Sequence, residues 1–135
     1  MKYILDAAAL LNDENFSFEE GNKYYTTSLV FDEWKDFRSK SLAQNAESQG
    51  LLVIMDPCTN SIQITYDKLA ESNTEMSDAD SSLLALAIEF KQRKTKFIVI
   101  TDDYSVRNVL KKLKINFRGV AQKEIKEHRV FKKSI

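Results

Sequence analysis

Carboxylates are the side chains in this sequence whose placement suggests chemistry. Cys58 and His128 are single representatives of their types, so no disulfide framework, thiol-based zinc site or imidazole cluster competes with them within the chain. Five acids stand out by position. Asp6 closes the apolar run Tyr3-Ile4-Leu5, and Asp102 and Asp103 follow Phe97-Ile98-Val99-Ile100. Both runs read as buried strands. Ligands of an open parallel sheet bind beyond the carboxyl ends of its strands, so these acids can face one another across a single crevice. Glu33 and Asp80 are selected by helical angle. Glu33 follows Val30 by three and precedes Phe37 by four, while Asp80 precedes Leu83, Leu84 and Ala87 by three, four and seven. Each then shares an apolar face, and its neighbour Asp32 or Asp78 points away.

An ionised carboxylate turned toward a core is costly unless it is paired or bound to a metal. Like charges held together raise one another's pKa and call for a counter-ion. Hard divalent cations such as Mg²⁺ or Mn²⁺ prefer such oxygen donors. A metal bound there can activate water, orient a phosphodiester and stabilise a leaving oxygen. Each acid also has a plainer role available. Asp80 suits a capping box with Ser77. Asp102 or Asp103 suits the cap of the next helix, and at least one of them is expected there. Glu33 can bond Lys35. Asp6, followed by Ala7-Ala8-Ala9, has no obvious local partner.

The elements that must position these acids alternate in type. Strands are expected at 3–5, 24–26, 51–55, 97–100 and 116–120, with a helical turn at 7–11 and a polar loop at 12–22. A helix is expected from Thr27/Ser28 to Gln49-Gly50, carrying Trp34 and Phe37 into the core. Residues 62–70 fit helix or strand spacing, with helix favoured. Ser77 caps a strongly helical stretch to about Lys91, and Val106, Val109, Leu110 and Leu113 mark another helix. Strands alternating with helices imply an α/β fold, a three-layer α/β/α arrangement around a parallel sheet of four to five strands.

The formal net charge is zero, but it divides unevenly. Residues 1–90 carry six basic and sixteen acidic side chains, and residues 91–135 carry fourteen and four. Such asymmetry points to nucleic acid or another anionic surface. Arg107, Lys111 and Lys114 recur at helical spacing beside the apolar stripe, and Arg118 and the basic tail at 121–135 add to them. They are expected to hold phosphates in a salt-dependent, largely sequence-independent way. Tyr104 suits either a base stack or a core position. No run is long and apolar enough to span a bilayer, and 43% apolar residues argue against disorder. The expectation is a soluble cytoplasmic domain at 1–120 followed by a basic tail.

At the acidic positions the sequence resembles the PIN-domain ribonucleases. The pieces are Ile4-Leu5-Asp6, the run from Thr26 to Glu33, Ser77-Asp78-Ala79-Asp80 and Ile100-Thr101-Asp102-Asp103, covering most of the chain from Tyr3 to about Val120. Within the family, three stretches look closer to the archaeal and eukaryotic nucleases that mature the 3′ end of small-subunit ribosomal RNA. They are Tyr25-Thr26-Thr27, residues 77–87, and Thr101 to Val109. The resemblance implies an endoribonuclease that cuts single-stranded RNA, leaving 5′-phosphate and 3′-hydroxyl ends, with pre-rRNA or the small ribosomal subunit as partner. It implies Asp6, Glu33, Asp80 and one or both of Asp102 and Asp103 as Mg²⁺ or Mn²⁺ ligands, with Thr101 orienting them. Two features depart from the pattern. Three alanines follow the first acid, where a hydroxyl residue is common. The zinc ribbon usual in that branch is not encoded in these residues.

Two other readings stay open within the family: a VapC-type toxin paired with an antitoxin, and a catalytically idle domain that binds RNA or an assembly partner. Outside it, a phosphoacceptor receiver is disfavoured because the middle-strand candidate, Asp56, precedes Pro57. A haloacid-type phosphatase is disfavoured because Asp6 is not followed by a second Asp two residues on.

Overall fold

The computed structural model describes residues 1–120, so the basic tail and His128 lie outside the described residues. In chain order the elements are β1 (Lys2–Leu5), α1 (Ala8–Leu11), β2 (Lys23–Thr26), α2 (Ser28–Phe31), α3 (Phe37–Ser48), β3 (Leu52–Ile54), α4 (Thr59–Glu71), α5 (Asp78–Gln92), β4 (Ile98–Ile100), α6 (Tyr104–Lys112) and β5 (Phe117–Arg118). The strands form one sheet in the order β3-β2-β1-β4-β5, and every pairing is parallel. Tyr3 in β1 aligns with Tyr24 in β2 and Ile98 in β4.

The chain first winds outward from β1 through β2 to β3. It then crosses back to β4 and winds the other way to β5. Strand order therefore reverses between β1 and β4, and the carboxyl ends of these two strands form the crevice where such sheets bind ligands. Right-handed crossovers put α1 and α3 on one face and α4, α5 and α6 on the other. Accordingly α3 packs on β3, and α5 packs on α2, α4, α6 and β1. This is the expected three-layer α/β/α architecture.

Burial follows from these layers. β1 is covered on both faces, and Ile4 and Leu5 are fully buried. α5 is the most deeply packed helix, with Leu83, Leu84 and Leu86 fully buried. Its start is fixed by Ser77, whose hydroxyl accepts the Asp80 backbone N–H at 3.1 Å. The ambiguous stretch at 62–70 belongs to α4. The N–H of Cys58, just before α4, donates at 2.7 Å to the buried carboxylate of Glu89 in α5, which also pairs with Arg93 at 3.1 Å. Burial pushes the Glu89 carboxyl up, but Cys58, Arg93 and Ser61 more than offset this and hold it below its ordinary value.

The single helix expected from Thr27/Ser28 to Gln49-Gly50 is broken in two. α2 ends at Phe31, and α3 begins only at Phe37. Asp36 is the reason for the restart: its backbone is extended, and its carboxylate accepts the Ser39 N–H at 2.9 Å. Helical phase is lost across the break. Trp34 is 2% exposed in the core, but Phe37, expected beside it, is 86% exposed.

Glu89→Gln tests the bond between α4 and α5. A hydrogen bond to a charged acceptor contributes about 1.5–3 kcal/mol. The glutamine oxygen still accepts the Cys58 N–H, so the variant is expected to lose only the charge-assisted part, about 1 kcal/mol, at pH 7 in urea denaturation, and wild-type stability would show that the charge adds nothing to the contact.

Candidate active site

The crevice between β1 and β4 is built around Asp6. Its backbone N–H donates to Ile100 O at 3.0 Å, so the residue prolongs the β1–β4 ladder by one step. Its side chain is only 5% exposed. Oδ1 accepts the Ala7 N–H at 2.7 Å, and Oδ2 accepts the Thr101 hydroxyl at 2.6 Å. Thr101 in turn accepts the Asp103 N–H at 3.1 Å. One buried hydroxyl thus ties the acid after β1 to the acids after β4.

The alanines that depart from the family pattern have a local use. Ala7 supplies the N–H that Asp6 accepts, and its carbonyl accepts the Trp34 indole N–H at 2.9 Å. Ala9 is fully buried, where a larger side chain would be crowded. The buried tryptophan fixes the turn in which Glu33 lies. Glu33 is therefore carried not by a helix face but by that turn, whose N–H donates to Val30 O at 3.0 Å.

Electrostatics show which acids share one field. Burial raises the Asp6 pKa; Thr101 and Ala7 pull it down; the charges of Asp103 and Asp102 raise it again. Glu33 is exposed overall, yet partial desolvation of its carboxyl and then the Asp6 charge raise it, against Lys35. Asp80 is half-buried and pushed up to about 6 by desolvation, then by Asp6 and Asp103, with a smaller push from Glu33. The five acids selected from the sequence thus act on one another at one edge of the sheet. Neither of the two ion pairs among the described residues, Lys68–Glu71 and Arg93–Glu89, reaches this group.

Asp102 and Asp103 divide their work. Asp102 is exposed; its Oδ1 accepts the Val120 N–H at 2.8 Å and its Oδ2 meets the Asn12 amide at 3.4 Å. Asp103 is half-buried, caps α6 by accepting the Val106 N–H at 2.9 Å, and acts electrostatically on both Asp6 and Asp80.

Among the described residues, no group of three or more His, Cys, Asp or Glu side chains is gathered tightly enough to hold a metal ion. The donor set is nevertheless all oxygen, and its mutual repulsion leaves a demand for positive charge. Mg²⁺ dehydrates reluctantly and is commonly held through one or two carboxylates plus water. An open ring of acids fits a hydrated ion better than a closed cage.

The sequence reading passed over several supporting hydroxyls and one amide. Buried Thr26 donates to Leu5 O at 2.8 Å, beside Asp6. Thr27 caps α2 and bonds Ser82 of α5 at 2.7 Å, joining the helix before Glu33 to the helix that carries Asp80. Asn12 reaches Asp102. Two adjacent threonines closing a buried strand were the available signal for the first two. Asp56 follows the edge strand β3 and accepts from the Ser28 N–H and hydroxyl, each at 2.9 Å.

The expected basic residues lie along and beyond α6. Lys111 and Lys114 are exposed. Arg107 is half-buried with its guanidinium over Phe117, 5.1 Å from the ring centre. Arg118 is half-buried over Tyr3 at 5.7 Å, and its Nε is sealed from solvent without a partner. No described helix is long and apolar enough to cross a membrane.

Comparison with known proteins places the chain in a family. The chain belongs to the PIN-domain ribonuclease family: residues 3–90 match the model of the PIN domain of ribonuclease. Within that family it is similar to proteins named endoribonuclease Nob1. It is 36% identical over 129 residues to the one from Methanothermobacter thermautotrophicus, covering 94% of this chain and 73% of the relative. The Methanocaldococcus jannaschii protein is 35% identical over 118 residues, 87% of this chain and 56% of the relative. A Saccharomyces cerevisiae relative, named 20S-pre-rRNA D-site endonuclease NOB1, is 32% identical over 91 residues, 65% of this chain and 20% of that protein. The VapBC2 crystal structure from Rickettsia felis superposes with a TM-score of 0.54 at 14% identity, covering 88% of this chain and 98% of that one. That likeness carries the fold alone.

The raised Asp80 makes a prediction about metal-free protein. The unfolded chain ionises this carboxyl near 3.8, whereas the folded protein resists its charge up to about 6. Asp80's contribution to stability therefore falls as pH rises between these values, and the penalty is complete above pH 6. A shift of two units corresponds to about 3 kcal/mol, and half-exposure leaves roughly 1–2 kcal/mol after solvent screening. Asp80→Asn in chelator is expected to stabilise by that amount at pH 7 and to match wild type at pH 3.5. Thermal denaturation at the two pH values measures it, and an equal effect at both would refute the charge origin.

Proposed function

We propose that this chain is a Mg²⁺- or Mn²⁺-dependent endoribonuclease that cuts single-stranded RNA, with ribosomal RNA precursor as its substrate class. The observation that carries this reading is Asp6. Its carboxylate is buried at the strand switch point, fastened by Thr101 and Ala7, and coupled electrostatically to Glu33, Asp80 and Asp103, with no ion pair to a basic side chain among the described residues. The names of the archaeal and yeast relatives support RNA cleavage and, for the yeast protein, a pre-rRNA substrate.

Asp6, Glu33, Asp80 and Asp103 are the residues assigned to hold the ion, largely through water. Asp102 is assigned a bracing role, because its oxygens already meet Val120 and Asn12. Bound at this edge, the cation would lower the pKa of water, orient the phosphodiester and stabilise the departing oxygen. Water attack on phosphorus with rupture of the P–O3′ bond leaves a 5′-phosphate and a 3′-hydroxyl. The chain's own residues contribute position. Thr101 fixes the rotamer of Asp6, Trp34 fixes the turn of Glu33, and Ser77 fixes the first turn of α5 below Asp80. Lys111 and Lys114 are assigned to the phosphates of flanking nucleotides.

Asp6→Asn is expected to reduce cleavage of a single-stranded RNA in Mn²⁺ on the order of 10²–10⁴-fold, the range a positioned charged group contributes, with an unchanged circular dichroism spectrum. Asp103→Asn should approach that loss, while Asp102→Asn should act mainly on stability. Initial rates from gel-resolved products test this ordering. Full activity in Asp6→Asn would overturn the reading.

A further inference from the structure

Six large apolar side chains among the described residues are strongly exposed: Met1, Leu11, Leu29, Phe37, Tyr66 and Tyr104. Scattered single cases are ordinary. Here, however, four of the six lie in segments that leave the carboxyl ends of β1, β2 and β4, the edge that carries the acids. Leu11 ends α1, Leu29 lies in α2, Phe37 opens α3 and Tyr104 opens α6. Phe37 at 86% and Tyr104 at 72% are the most exposed of the six.

In the topology the two rings follow strands on opposite sides of β1. Sheet order puts β1 between β2 and β4, so Asp6 lies between the β2 side, where Phe37 follows the Glu33 turn, and the β4 side, where Tyr104 follows Asp103. Neither ring sits on a loose segment. The first turn of α3 is held by the Asp36 cap and by Arg38, whose guanidinium donates to Leu10 O. The first turn of α6 is held by the Asp103 cap, and Asp103 is itself tied to Thr101. Both aromatic rings are thus largely presented to solvent on fixed backbone among the described residues.

We propose that Phe37 and Tyr104 are stacking platforms for two unpaired bases of the RNA, one on each side of the acidic edge. The inference rests on the endoribonuclease reading and adds how the strand is gripped. Rings on elements that follow different strands, β2 and β4, are not assigned to one contiguous apolar interface patch. They do suit bases, each of which offers its own π-face. Lys111 and Lys112, at the far end of the helix that Tyr104 opens, are exposed and offer charge to the phosphates of nucleotides beyond the stacked base. Because every base can stack, the platforms give grip and register without a strong sequence preference.

The test is binding of a labelled 12-nucleotide oligo(A) to the full chain in chelator, followed by fluorescence anisotropy. A 12-residue abasic strand of equal charge serves as control. Phe37→Ala, Phe37→Leu and Tyr104→Ala are expected to weaken oligo(A) binding about 5- to 100-fold, with abasic binding unchanged. Phe37→Leu keeps an apolar side chain but lacks the π-face, so it separates stacking from simple apolar contact. Both positions are exposed, so the variants should keep the wild-type circular dichroism spectrum. Three results would overturn the proposal: wild-type affinity for oligo(A) in the variants, equal losses for both strands, or no wild-type preference for oligo(A) over the abasic strand. A change in sedimentation mass with unchanged RNA binding would instead make these rings a self-association surface. Absence of cleavage by wild type in Mn²⁺ would bear on the nuclease reading alone, since the binding assay needs no cleavage.

Discussion

One buried carboxylate organises this molecule. Asp6 is 5% exposed and carries two short hydrogen bonds, yet its burial and its neighbours' charges still raise its pKa. Burying an ionisable group is expensive unless its bonding is met. The fold meets it from three directions. β1 brings Asp6 to the strand end, β4 brings Thr101 opposite, and the Ala7 N–H closes the third side. Each donor depends on structure beyond it. Thr101 stands in register because Leu5 aligns with Ile100, and Ala7 is pinned because Trp34 reaches its carbonyl. Displacing β4 by one residue would remove the hydroxyl and leave a buried charge short of a partner.

The surrounding acids then work against stability. Asp80 at about 6 is the clearest case, with a half-buried carboxyl pushed up by desolvation and by Asp6, Asp103 and Glu33. Perturbed groups of this kind concentrate at functional sites. The rest of the edge is correspondingly overdetermined. Thr27 and Ser82 tie α2 to α5, Asp56 holds the start of α2, Asp103 caps α6, and Asp102 holds Val120 and Asn12. These contacts hold the repelling carboxylates in place.

Most of this was legible in the sequence because it followed from period and strand ends. Tyr3-Ile4-Leu5 and Phe97 to Ile100 read as buried strands, and an acid after each had to lie at the sheet's carboxyl edge. Asp80 was found through helical phase, which α5 preserves without interruption. The same argument failed at Glu33. Asp36 starts a new helix, so phase cannot be carried from Val30 to Phe37. Glu33 reaches the acids through a turn, and Phe37 leaves the core. The missed cue was local: an Asp three residues before Ser39, with its side chain free to accept that N–H. The division between Asp102 and Asp103 was not legible either. It depends on Val120, 18 residues on, and on Asn12 in a loop without periodicity.

The separation of charge along the chain now has a spatial meaning. At 1.5 Å per residue, Lys111 lies about 12 Å along α6 from Asp103. That exceeds the roughly 8 Å Debye length at physiological salt. Exposed Lys111 therefore does little to neutralise the acids. Had the two sets been adjacent, they would have paired. Arg107 and Arg118 are half-buried, with their guanidinium groups over Phe117 and Tyr3. The exposed Lys111 and Lys112 thus lie at the far end of the helix whose start Asp103 caps, and the acid edge keeps its unbalanced charge.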